Sequence, residues 1–189
     1  MKRTIRTLLA ALAAACMAAT ASASPVGVTV NNTLLDDTGP SGGTGWAYDS
    51  ATCILTLTNA GPFTLSGTNK SGRVQVVVQS NVTSTVTLSN LTLEAADAGQ
   101  CAFALATNAC VSLFLAGTNT LVSGEGRAGI EVAAGRMLSI TNAPDDDAGA
   151  LAVTGGDLGA GIGGGDEGDG GTVTINGGAI VTTGGVYGT

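Results

Sequence analysis

Asp145, Asp146 and Asp147 sit among Ala, Pro and Gly in the stretch 143–149, and Asp166, Glu167 and Asp169 sit among glycines in 163–171. These six carboxylates are the side chains best suited to chemistry. Calcium takes six to eight oxygen ligands, carboxylates and backbone carbonyls alike, and Asp clustered among Gly offers both kinds. If the fold brings the two groups together, repulsion among the carboxylates favours a bound cation. If it keeps them apart, they are two solvated loops. Calcium is the one candidate cofactor, and no other residue pattern requires one.

Other chemistry is excluded more easily than it is found. The chain has no histidine, which removes Ser-His-Asp and Cys-His catalysis and every histidine-bearing metal site. Glycoside hydrolysis needs two carboxylates about 5 to 9.5 Å apart across a cleft. Asp36 and Asp37 are adjacent in a Pro/Gly-rich segment, and neighbours in an extended chain point to opposite sides, so they read as a solvated turn. Phe63, Phe103 and Phe114 fall in alternating runs and read as core. Trp46 and Tyr48, two positions apart, are the candidates for a ligand-stacking platform, against the alternative that they close one end of the core. Cys101 and Cys110 are spaced to pair in an oxidising compartment, leaving Cys53 a free, buried thiol; three reduced thiols are the other reading.

The N-terminus sets the compartment. Lys2, Arg3 and Arg6 precede an apolar run from Leu8 to Ala19, followed by Ala21-Ser22-Ala23 ahead of Ser24-Pro25. A basic start, a short apolar run and a small-residue exit make residues 1–23 a signal peptide. The run falls short of the roughly 20 residues a membrane span needs. Acylation of Cys16 is the alternative, against which residues 13–15 are all Ala. The protein is therefore expected to be secreted or displayed at the cell surface, with no membrane insertion. The leader takes three of the seven basic residues and none of the fourteen acidic ones, which leaves four against fourteen, a net charge of −10. Without a basic patch, such a chain does not bind nucleic acid or anionic lipid unaided.

Short alternating runs recur along the rest. Leu57, Leu88, Leu115, Ile140 and Ile175 each end one such run, and two residues on stands Asn59, Asn90, Gly117, Asn142 or Gly177. Asn and Gly tolerate the left-handed backbone of a sharp corner, so these five are expected to stack as one column. A second run follows each corner, at 63–65, 91–93, 120–122, 151–153 and 179–181. A third precedes the anchors, at 74–76, 102–104, 129–131 and 161–163. Three short strands per repeat describe a right-handed parallel β-helix of about five coils. An antiparallel sandwich also has short strands with frequent turns, but it does not return the same three runs in order. Residues 24–45 read as an N-terminal linker or cap and 46–189 as the β-helix. The end at 184–189 aligns with 155–160, where another Gly-Ile is due, so further coils or domains of the same polypeptide are expected. Outward threonines such as Thr56, Thr85, Thr87, Thr172 and Thr174 do not repeat in register as threonine, which argues against an ice-binding face.

Three stretches carry a family resemblance: Gly45-Trp46-Ala47-Tyr48-Asp49, Gly117-Thr118-Asn119-Thr120-Leu121, and Gly159-Ala160-Gly161-Ile162-Gly163-Gly164-Gly165 ahead of Gly171-Thr172-Val173-Thr174-Ile175-Asn176-Gly177-Gly178. They resemble repeats of large secreted or cell-surface β-helix proteins of gut bacteria, described as carbohydrate-binding or adhesin-like. The resemblance implies a polysaccharide or host glycan as partner, bound with or without calcium, and no catalysis. A structural stalk within a larger surface protein is the alternative. The uronate lyases that share the β-helix use a Lys or Arg base, for which Arg127 and Arg136 are the nearest candidates. Residues 164–169 superficially resemble a calcium nonapeptide, but Glu167 stands where its glycine belongs and Gly171 where its aliphatic residue belongs.

Overall fold

The computed structural model describes residues 26–95, 97–146 and 148–187. The signal peptide assigned to 1–23, with Cys16, lies outside these residues, as does Asp147. Among the described residues there is no helix. The strands are β1 (Val28–Val30), β2 (Thr33–Leu34), β3 (Ser41–Gly43), β4 (Trp46–Asp49), β5 (Ile54–Leu57), β6 (Phe63–Asn69), β7 (Gln75–Val78), β8 (Thr83–Ala95), β9 (Phe103–Leu105), β10 (Cys110–Ala116), β11 (Thr118–Ser123), β12 (Ile130–Glu131), β13 (Met137–Asn142), β14 (Ala150–Thr154), β15 (Ile162–Gly163), β16 (Thr172–Ile175) and β17 (Ala179–Thr183).

From β5 onward the strands pair in parallel, each with its counterpart one pass later. Ladder one runs from the start of β6 through the first half of β8 to β10, β13 and β16. Ladder two runs from the end of β6 through the second half of β8 to β11, β14 and β17. Ladder three is β5-β7-β9-β12-β15. Ladders one and two belong to a single ten-stranded sheet because β6 and β8 run through both, while ladder three lies in a seven-stranded sheet with β3 and β4.

The alternating sequence explains the stacking. One side chain of each pair turns inward, and parallel register lays it on its equivalent in the next strand, about 4.8 Å away. Leu55, Val76, Phe103, Ile130 and Ile162 form one such column. Phe63, Val86, Leu113, Ile140 and Ile175 form another. The first four members of each are fully buried. The last are not, and Ile175 is 53% exposed because no strand pairs with the far side of β16.

The other end is covered. β1 lies antiparallel on β6, placing Val28 beside Gly67 and Val30 beside Leu65, and β4 lies antiparallel on β5. Val26, Val28, Val30 and Leu35 are buried there.

The expected third run is in register from 102–104 onward, with Phe103, Ile130 and Ile162 in one column, while 74–76 is displaced by one residue, since Val76 rather than Gln75 lies opposite Phe103. Two parts of the expected alignment are corrected. Leu57 pairs with Val78 on ladder three, and the run Phe63 to Leu65 takes the ladder-one place opposite Val86 to Leu88. Ile140 lies opposite Leu113 rather than Leu115. The expected corner column therefore exists only in pieces. Asn90 stacks under Gly117 and accepts the Thr118 N–H at 3.2 Å. Asn59 turns against Gly45 instead, and accepts the Gly61 N–H at 2.9 Å. The cause is uneven pass length. The first pass is short, and the 143–149 insertion absorbs the bend that Asn142 was expected to make.

A more regular corner joins ladder two to ladder three. Gly99, Gly126, Leu158 and Tyr187 all have positive φ, at 78°, 77°, 67° and 68°. Each N–H of the first three bonds the carbonyl one residue before the next member, Glu125, Asp157 and Val186. Leu158 occupies a conformation that costs a side chain about 1 kcal/mol or more. Leu158→Gly is therefore expected to stabilise the fold by about 1 kcal/mol, read from urea unfolding.

Candidate functional site

The two acidic clusters are carried by different corners. Asp145 and Asp146 lie between β13 and β14, on the bend from ladder one to ladder two, while Asp166, Glu167 and Asp169 lie between β15 and β16, on the bend from ladder three to ladder one. Asp146 is committed to the backbone. One oxygen accepts the N–H of Gly117, one pass back, at 2.6 Å, and the other accepts that of Ala148 at 2.9 Å. These bonds hold its carboxyl below the ordinary carboxylate range.

A depressed carboxyl favours the folded state above its unfolded pKa of about 3.9, and that contribution is lost as pH falls through the lower folded value. Asp146→Ala is therefore expected to melt below the wild type at pH 7, with the difference shrinking in thermal melts as the pH falls through the lowered Asp146 value.

The second cluster is tied down by its backbone rather than by its carboxylates. Asp166 N–H bonds the Gly126 carbonyl at 2.9 Å, and Ala134 N–H bonds the Asp169 carbonyl at 2.9 Å. The three acidic side chains are exposed. They line an open cavity of about 590 Å³ with Leu158, Ala160 and Tyr187. Among the described residues no three His, Cys, Asp or Glu side chains are grouped to hold a metal ion. The described members of the two acidic stretches stand at opposite ends of the ladder-one strands, Asp145 and Asp146 after β13 and Asp166, Glu167 and Asp169 before β16.

Trp46 and Tyr48 do not form a surface platform. Both face inward from β4, 5% and 1% exposed, and the Tyr48 hydroxyl donates to the Arg73 carbonyl at 2.7 Å. Burial pushes the Tyr48 pKa up. The outward rings among the described residues are Phe114 and Tyr187, the latter 86% exposed. Phe63 and Phe103 are core, but Phe114 occupies an outward position of β10, paired with Thr87 on one side and Thr141 on the other, and is half-buried.

Among the described residues every Lys and Arg is paired with a carboxylate. Lys70 pairs with Glu94 at 2.8 Å, and Arg73 with Asp37 at 2.7 Å. The Asp37 side chain is only 4% exposed, so it is not the solvated group expected of a turn. Asp36 is, accepting the N–H and hydroxyl of Thr38 at 2.8 and 2.7 Å. Arg127 and Arg136 both turn to Glu131, at 2.8 and 3.8 Å.

The three cysteines among the described residues are free thiols. Cys101 and Cys110 are not joined: Cys101 is buried, and its Sγ lies 3.3 Å from the carbonyls of Phe103 and Ala128. Cys110 begins the next ladder-one strand, between Thr83 and Met137. Cys53 is half-buried in a turn at φ 59° rather than buried as expected.

Comparison with family models, curated proteins and solved structures finds no match. The site is therefore described by its own geometry. Its most regular surface is the outer face of ladder one. Thr85, Ser112, Ser139 and Thr174 are paired in succession there, so hydroxyls recur in register although threonine itself does not. The sequence masks this because Ser and Thr alternate in the column and the passes differ in length. The signal was present in the outward positions of the four runs once their true register is applied.

Proposed function

We propose that this protein is a right-handed parallel β-helix of about five coils that acts outside the cell, or on its surface, as a non-catalytic module holding a polysaccharide or host glycan. The observation that carries this reading is the arrangement of ladder one. In-register strands hold an uncharged, hydroxyl-bearing face, while the charged side chains are gathered in ion pairs and corner loops. A rigid polar surface of this kind suits a hydroxyl-rich polymer, whose many weak hydrogen bonds sum along a preorganised array. Calcium enters this proposal as an aid at the 163–171 loop rather than as a bridge between the two acidic stretches.

A glycan array probed with and without calcium tests the reading. Retention of at least one polysaccharide class is expected, and absence of binding under both conditions overturns it. The second reading is a structural stalk within a larger surface protein, which the repeated parallel ladders suit. A lyase-like activity ranks below both, since Arg127 and Arg136 are engaged by Glu131. Unsaturated product from a pectic substrate would reinstate it. Among the described residues no helix is long and apolar enough to cross a membrane.

A further inference from the structure

We infer that the outer face of ladder one, around Ser112, Ser139 and Phe114, is the ligand-binding surface, and that its ligand is a neutral, linear glycan lying across the strands. The inference rests on the glycan-binding reading above and adds both the place and the chemical class.

Three observations converge. The first is charge. The ladder-one segments of β8, β10, β13 and β16 contain no Asp, Glu, Lys or Arg, in a mature chain whose net charge is strongly negative. A polyanionic glycan gains no cation on this face and meets a repulsive surrounding field. A neutral polymer pays neither cost.

The second is shape. A groove of about 230 Å³ crosses the face, lined by Thr83, Ser112, Met137, Ser139, Thr172 and Thr174 among others. Its lining comes from four consecutive strands, so it runs along the stacking direction for roughly 14 Å, three inter-strand spacings. That length accepts a short run of sugar rings. A concave channel suits a chain better than the flat lattice plane an ice surface would present.

The third is the composition of the lining. Sugar rings offer an apolar face of C–H groups and an equatorial rim of hydroxyls. In the lining itself Met137 is 51% exposed, and Phe114 stands next to the groove, two positions beyond Ser112 on the same face of β10 and half-buried. These supply apolar contact, of which an aromatic ring is the most effective kind. The hydroxyls of Thr83, Ser112, Ser139 and Thr174 in the lining supply donors and acceptors at each strand. Ser139 is already oriented by Asn176, whose Nδ2 donates to its Oγ at 3.0 Å. A mostly apolar cleft with a few fixed polar groups is the usual form of a small-ligand site.

The experiment uses the full chain with four probes in affinity electrophoresis: a β-glucan, a mannan, soluble chitin oligomers and polygalacturonate. Phe114→Ala removes the ring, and Ser139→Arg fills the groove from an outward position without touching the core. Thr120→Arg places the same bulk on the outer face of ladder two as a control. Thermal melts identify any variant that has lost its fold, and Ser139→Arg serves if Phe114→Ala does not fold.

Expected is retention by a neutral probe that is insensitive to ionic strength. It should be weakened roughly tenfold or more, about 1.4 kcal/mol, by Phe114→Ala and Ser139→Arg, and be unchanged in Thr120→Arg. Equal binding by wild type and both ladder-one variants overturns the inference while leaving glycan binding intact. So does binding of polygalacturonate alone. Loss of all binding by the wild type overturns both.

Discussion

Replacing Asn119 with leucine is expected to destabilise the protein by about 3 to 5 kcal/mol, although its neighbours in the column are apolar. Asn119 lies at the start of ladder two, fully buried, opposite Leu151. Its Oδ1 accepts the N–H of Leu91 from the previous pass at 2.9 Å. Its Nδ2 donates to the Ala116 carbonyl of its own pass at 3.2 Å and to the Ala150 carbonyl of the next at 3.1 Å. One amide thus satisfies backbone groups on three successive passes, where the bend interrupts the strand ladder. Leucine fills the volume but leaves these groups without their partner, and each buried orphan costs about 1 to 3 kcal/mol. Urea unfolding of Asn119→Leu checks the figure. A loss below 1 kcal/mol would mean that water or a local shift replaces all three bonds.

The second large effect is expected from a single methyl group. Gly156 sits directly on the Gly124 carbonyl of the previous pass, and Gly185 sits in the same way on the Gly156 carbonyl. A Cβ on Gly156 overlaps the Gly124 carbonyl and the Glu125 nitrogen. Backbone cannot swing aside as a long side chain does, so the passes must separate. Overpacking of this kind costs about 1 to 3 kcal/mol, and the upper end is expected for Gly156→Ala because the nearest atoms it meets are all main chain. The same change at Gly99, where a Cβ meets nothing within 4 Å, isolates the backbone cost of its positive φ. Gly156→Ala should exceed Gly99→Ala in urea unfolding, and the reverse order would show that the passes part easily.

These positions show what the sequence could and could not disclose. Ladder three was legible at Phe103, Ile130 and Ile162 because each is a bulky inward residue at the centre of a short run of small or polar neighbours. The run Ala102-Phe103-Ala104 could be laid on Gly129-Ile130-Glu131 without gaps. Ladder one was legible between Leu88 and Leu115 for the same reason. It failed at Ile140, because alternation has a period of two and an error of two residues leaves every inward residue inward. The pairing of β10 with β13, which sets Leu115 opposite Asn142, distinguishes the two registers.

The site was less legible still. Asp145 and Asp166 looked equivalent in composition but stand at different corners, a distinction set by which turn each insertion enlarges. Trp46 and Tyr48 alternate as any outer pair would. Their inward orientation follows from the antiparallel seat of β4 on β5. Phe114 was assigned to the core because its neighbours Leu113 and Leu115 are. Alternation alone places one of the two sets outward, and the more numerous aliphatic set took the inside.

The two ends of the stack differ in how they are finished, and this gives the molecule a mechanical polarity. At one end antiparallel β1 and β4 lie over the first parallel strands, with Val28 and Tyr48 sealed beneath. At the other, β16 and β17 carry Ile175 and Val181 at 53% and 66% exposure. Because each layer is held by its neighbours, opening of the 189-residue chain on its own should begin at β17 and travel inward like a zip. Amide exchange rates should therefore fall progressively from Val181 through Val153 and Leu121 to Leu93.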